Sequence, residues 1–145
     1  AQQLEEERTQ LAEVVSRASM LEISSFQMTP LNKRDRKTTV YSQILKLQFD
    51  YTIARNITNT PGLKTLYLRV TRPDGEVMQK NVHDVFAFEN SEIAYSVSKD
   101  FEYEGEEVSG AMYWLVEEIL QVGIYNADFF VDGELIGSFP FEIHQ

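Results

Sequence analysis

The sequence predicts an all-β fold, two packed antiparallel sheets of roughly seven or eight short strands, preceded by one amphipathic helix. Three observations carry this. Residues 2–20 contain no Gly or Pro and place apolar side chains at helical spacing. From Leu21 onward the apolar period changes to two, and turn residues recur between the alternating runs with no helical pattern between them. Two parts follow: an amphipathic helix over 1–20 and a sandwich domain over 21–145.

The helix rests on composition and seam. Residues 2–20 are rich in Gln, Glu, Leu, Ala and Arg, which are good helix formers. Leu4, Leu11 and Ala18 fall at seven-residue intervals, with Glu7, Val14 and Leu21 three further on, a coiled-coil-like seam with one charged defect at Glu7. So short a helix is marginal alone in water. It is therefore expected either to end a longer, self-associating coiled coil or to pack on the sandwich.

The clearest strand runs through Leu45, Leu47, Phe49, Tyr51 and Ile53, interleaved with Lys46, Gln48, Asp50 and Thr52. One face should meet a core and the other water. Leu66, Leu68 and Val70 repeat the pattern, and Pro73-Asp74-Gly75 then supplies a tight reversal. Further strands are expected near 93–101 and 108–116, with a less regular stretch near 83–92. In the last hairpin the apolar residues are Tyr125, Ala127 and Phe129 on one arm and Leu135, Phe139, Phe141 and Ile143 on the other, all odd-numbered. Pairing odd with odd requires a three-residue loop, Val131-Asp132-Gly133, with Gly133 left-handed. Direct pairing of Val131 with Glu134 would contradict it. Alternation also places the rings of Phe49 and Phe139 in the core.

The run Leu120, Gly123, Tyr125, Ala127, then Val131-Asp132-Gly133, Ile136-Gly137 and finally Phe139, Phe141 and Ile143 resembles the last two strands of immunoglobulin-like and fibronectin-III-like domains of bacterial envelope proteins. The resemblance implies an immunoglobulin-like antiparallel β-sandwich and makes Tyr125 a tyrosine corner, its hydroxyl bonded to backbone at the preceding bend. Ala127 stands where antibody-type domains carry their second cysteine, so a disulfide form is excluded. An extracytoplasmic location, periplasmic or in the cell envelope, is implied as well, with a tether upstream of Ala1.

Composition narrows the function. Thirteen basic residues against twenty-three acidic ones leave a net charge of −10, which disfavours contact with nucleic acid or anionic lipid. Without cysteine there is no thiolate chemistry. No apolar run approaches the roughly eighteen residues needed to span a bilayer, so no membrane insertion of this segment is expected.

No catalytic, cofactor or metal site is expected. His83 beside Asp84 lacks a nucleophile on a strained turn, because no Gly-x-Ser-x-Gly occurs and Ser109-Gly110 lacks the flanking pattern. His144 is the penultimate residue, and two distant histidines without cysteine make a poor zinc site. Asp100, Glu102, Glu104, Glu106, Glu107, Glu117 and Glu118 could supply a glycosidase pair or calcium ligands, but no Asp-x-Asp-x-Asp-Gly spacing is present. A solvated acidic surface is the simpler reading.

Interaction residues are sought elsewhere. Lys33, Arg34, Arg36 and Lys37 form the one basic run, interrupted by Asp35 and read as a loop after the first strand. Tyr41 and Tyr67 are candidates for exposed rings, together with Tyr113 and Phe130, whereas Trp114 lies in a run apolar at both parities and is read as core. Asn56-Ile57-Thr58 matches a glycosylation sequon. The leading expectation is a non-catalytic protein-interaction or spacer module with a protein partner. A carbohydrate-binding module using exposed aromatics is the alternative, and an enzyme is third.

Overall fold

The computed structural model describes residues 18–145. Nine strands run in chain order: β1 Ile23–Leu31, β2 Lys46–Ile53, β3 Gly62–Thr71, β4 Val85–Phe88, β5 Ser91–Ala94, β6 Val97–Tyr103, β7 Val108–Leu115, β8 Gly123–Val131 and β9 Glu134–Ile143. A 3-10 turn, Tyr41–Gln43, precedes β2. Every strand pairing is antiparallel.

Seven strands form a sandwich. A three-stranded sheet, in the order β1-β2-β7, faces a four-stranded one, β6-β3-β8-β9. Rings cross the gap between them: Phe26 of β1 meets Phe129 of β8 with centroids 5.7 Å apart, and Phe49 of β2 meets Phe141 of β9 at the same distance. Leu47, Phe49, Tyr51 and Ile53 alternate inward as their period of two demands, opposite Leu66, Leu68 and Val70. Leu45, one residue before the strand, is instead exposed.

The expectation of an N-terminal helix is corrected. Among the described residues only Ala18 and Ser19 are α-helical, and no α-helix stands as an element. Residues 1–17 lie outside them. The last positions assigned to the seam belong to the sandwich: Leu21 is buried in its core, and the Ala18 carbonyl accepts a hydrogen bond from Asn56 Nδ2. Seven-residue spacing records only that Leu21 is apolar, and the inter-sheet core accepts it as well as a helical partner would.

The last hairpin is corrected too. Val131 pairs directly with Glu134, so the loop has two residues, Asp132 and Gly133, both with positive φ (54° and 74°). These angles mark the primed turn whose twist suits paired strands. The extra residue needed to unite odd with odd sits in a bulge opposite Phe129/Phe130, after which Phe129 pairs with Gly137 and Ala127 with Phe139. As a result Leu135 is exposed, Ile136 is buried, and Phe139 and Phe141 are only half-buried. A second bulge at Ser24 shifts β1 against β2 in the same way.

The stretch near 83–92 is ordered as the β4–β5 hairpin, which lies on the outer face of the larger sheet. Phe86 stacks on Tyr67 (4.4 Å, 6° between planes) and touches Phe130 (5.1 Å). Strand alternation turns Phe129 toward the main core and its neighbour Phe130 toward this aromatic cluster.

The sandwich has two ends. The described chain begins at one, beside the 54–61 and 131–134 loops, where Asn56 Nδ2 donates to the Ala18 and Met20 carbonyls and Asn59 Nδ2 to that of Ser19. The turns 32–37, 41–43, 72–76 and 116–122 and the end of β9 gather at the other.

Candidate functional site

The far end carries a groove built by two tied loops. After β1 the chain reverses over Asn32–Arg36: Asn32 Oδ1 accepts from the backbone N–H of Arg34 and Arg36, and the Asn32 N–H donates to the Arg36 carbonyl. Asp35 takes the left-handed conformation (φ 58°) that a short polar side chain tolerates. The turn thereby pushes Lys33, Arg34, Arg36 and Lys37 outward, all exposed. The Leu45 N–H donates to Leu31 and its carbonyl accepts from Val116, each at 2.9 Å, yet its side chain is 43% exposed. A fixed backbone therefore holds a bare leucine at the groove's centre.

The second loop, 116–122, is fastened at its base. The Tyr41 hydroxyl donates to the Leu120 carbonyl, the Tyr125 hydroxyl to that of Gln121 (2.7 Å), and Gln121 Nε2 donates to Asp74 Oδ2 (2.6 Å). Burial pushes the Tyr125 hydroxyl's pKa up, and the bond from Gln121 lowers that of Asp74. Leu120 is buried, while the tip Glu117-Glu118-Ile119 projects, with Ile119 89% exposed.

Between the loops lies a cleft of about 400 Å³, lined by Tyr41, Ile44, Leu45, Val116, Ile119 and Leu120 and by Glu117 and Glu118. It shares Ser42 and Leu45 with a second hollow of about 340 Å³ lined by Asn32, Lys33 and Arg34. The two make one groove with an apolar middle, a basic end and an acidic end. Among the described residues no intramolecular ion pair uses Lys33, Arg34 or Glu118; Glu117 lies 3.5 Å from Lys80, whose ammonium also sits 4.2 Å above the Trp114 ring.

Lys33, Arg34 and Tyr41 thus meet at this groove, with Arg36 and Lys37 on the same turn. Tyr67 lies elsewhere, its face covered by Phe86. Trp114 and Phe130 are buried, and Tyr113 is half exposed beside the Lys46 ammonium. Tyr113 is the one aromatic among the exposed large apolar side chains of the described residues. Sequence reasoning missed Leu45, which alternation assigns to the core, and Ile119, which follows two glutamates and directly precedes the buried Leu120.

The chemically suggestive residues are dispersed. His83 is exposed, its N–H bonded to Asn81 Oδ1, and the Ser109 hydroxyl shares a hydrogen bond with Thr52. Glu106 lies 3.6 Å from Arg55, and Asp100 accepts from Thr65. No group of three or more His, Asp or Glu side chains that could hold a metal occurs among the described residues, and no helix there is long and apolar enough to cross a membrane. The sequon asparagine, Asn56, uses its amide to hold the chain at 18–20, a role that a glycan on that nitrogen would disrupt.

Comparison with known proteins adds little chemistry. No curated protein matches the chain. Among solved structures it is similar to an alkylpurine DNA glycosylase, AlkC, of Pseudomonas fluorescens, bound to DNA containing an abasic site analog, at 13% identity and a TM-score of 0.44. That likeness covers 84% of this chain and 30% of the glycosylase. A family model, described as a domain of unknown function (DUF8428), matches residues 24–144. The matched span takes in all of the sandwich but the first residue of β1, and the chain belongs to the DUF8428 family.

Proposed function

We propose that this chain is a non-catalytic protein-interaction module of immunoglobulin-like architecture, placed in a longer extracytoplasmic protein, and that the groove around Leu45 is its docking surface. The observation that carries this is the bare Leu45 and Ile119 pair on backbone tied at both sides. Singly exposed apolar residues are ordinary, but here they are gathered with Tyr41, Ile44 and Val116 in one cleft rimmed by charge, the kind of patch that a partner covers.

Edge pairing is a weaker route to a partner. Pro30 interrupts β1 and Pro140 interrupts β9, while the Lys80 and Lys99 ammoniums donate to the Leu115 and Ala111 carbonyls of β7 (2.6 and 3.4 Å). Such features blunt strand addition. The first strand, β1, also begins at the end of the sandwich opposite to that where the last strand, β9, finishes, an arrangement suited to a spacer.

Replacing Leu45 or Ile119 by a photo-crosslinking phenylalanine analogue, in cells that make the protein, should yield protein adducts. The same replacement at Ile57, an exposed residue at the opposite end, should not. Equal labelling from all three positions, or none from the groove, refutes the reading.

A further inference from the structure

We propose that the groove's occupant is a second copy of this chain, docked so that the two grooves run antiparallel about a two-fold axis near Leu45. This rests on the reading of the groove as an interaction surface and names its partner.

The argument is one of symmetry. A groove with Lys33 and Arg34 at one end, Glu117 and Glu118 at the other and Ser42 and Leu45 between is complementary to itself after a half-turn about its middle. Under that rotation the acidic tip of each copy meets the basic turn of the other, and each Ile119 approaches the apolar floor opposite. A two-fold interface makes every contact twice, so modest complementarity is doubled. An asymmetric partner would need a separate surface with matching polarity, whereas the second copy has one already.

The chain's net charge of −10 opposes self-association at long range. At physiological ionic strength the screening length is only about 8 Å, so the charges that meet across the contact decide the outcome. There each copy offers cations to the other's anions, with Glu117 partly shared with Lys80. Such charges contribute chiefly to orientation and choice of partner, and the apolar middle to persistence.

Sedimentation of the whole chain over a rising concentration series tests this. The wild type should pass from monomer to dimer. Lys33→Glu with Arg34→Glu should remain monomeric at concentrations where the wild type is dimeric, a weakening of about tenfold or more. Glu117→Lys with Glu118→Lys should do the same, and so should Ile119→Asp. An equimolar mixture of the two charge-reversed proteins should restore the dimer, because every acidic end again meets a basic one. Circular dichroism and melting confirm that each variant is folded, and Glu118→Lys alone gives a form that keeps the Lys80 contact. A wild type monomeric throughout, a dimer indifferent to the reversals, or a mixture that stays monomeric overturns the proposal. If the crosslinks reach a different protein while the purified chain stays monomeric, the second copy is refuted and the docking surface stands; absent crosslinks remove both.

Discussion

Gly137 lies directly against Ile23: a Cβ placed on it would sit 2.9 Å from the Ile23 Cβ and 2.8 Å from Cε2 of Phe139. This is where the edge strands β1 and β9 meet, each next to its bulge. Gly137→Ala is expected to cost about 1–3 kcal/mol through overpacking. Urea unfolding would register it, and the cost should shrink when Phe139 is cut back to alanine, which removes the nearest of those atoms, Cε2. Equal costs in both backgrounds would count against the contact.

Phe49 and Phe139 occupy the same aromatic layer but not the same environment. Phe49 is fully buried and Phe139 half-buried. Phe49→Ala should cost about 3–5 kcal/mol and Phe139→Ala distinctly less. Matching losses in denaturant midpoint would show the β9 edge to be as tightly packed as the middle of β2.

At the last hairpin, Gly133 holds φ 74° with nothing near its absent Cβ. Gly133→Ala should therefore act through backbone strain alone, costing about 1–2 kcal/mol. Asp132→Gly keeps the backbone but frees Lys64, whose side chain is 9% exposed and lies 2.7 Å from the carboxylate. Measuring both by thermal melting separates strain from the ion pair.

The tyrosines predict an alkaline limit. Burial raises the pKa values of Tyr51, Tyr103 and Tyr125 above the ordinary 10.0. Between the unfolded and folded values the unfolded chain binds fewer protons, so the stability these neutral hydroxyls confer is complete below about pH 10 and is lost as pH climbs through the folded values. Tyr125→Phe should lower stability at neutral pH by about 1 kcal/mol, the worth of its bond to Gln121, and flatten the alkaline decline. A decline unchanged in this variant would exclude Tyr125 from it.

What the sequence determined by itself was local. A period of two at Leu47 to Ile53 and at Leu66 to Val70 can be satisfied only by extended backbone with one face buried, so those strands and the sheet-on-sheet core were legible. Gly133's left-handed turn was legible as well, because few residues accept that conformation. Tertiary structure decided the rest. Apolar parity along β9 was reconciled by a bulge, since a longer loop and a bulge both add one residue to an arm and only strand twist chooses between them. Leu21 entered the inter-sheet core, which apolar spacing cannot distinguish from a helical seam. The groove was hidden for the same reason: Leu45 reads as the first residue of a buried alternation. Only the backbone bonds to Leu31 and Val116, residues 14 and 71 positions away, turn it into the exposed floor of a site.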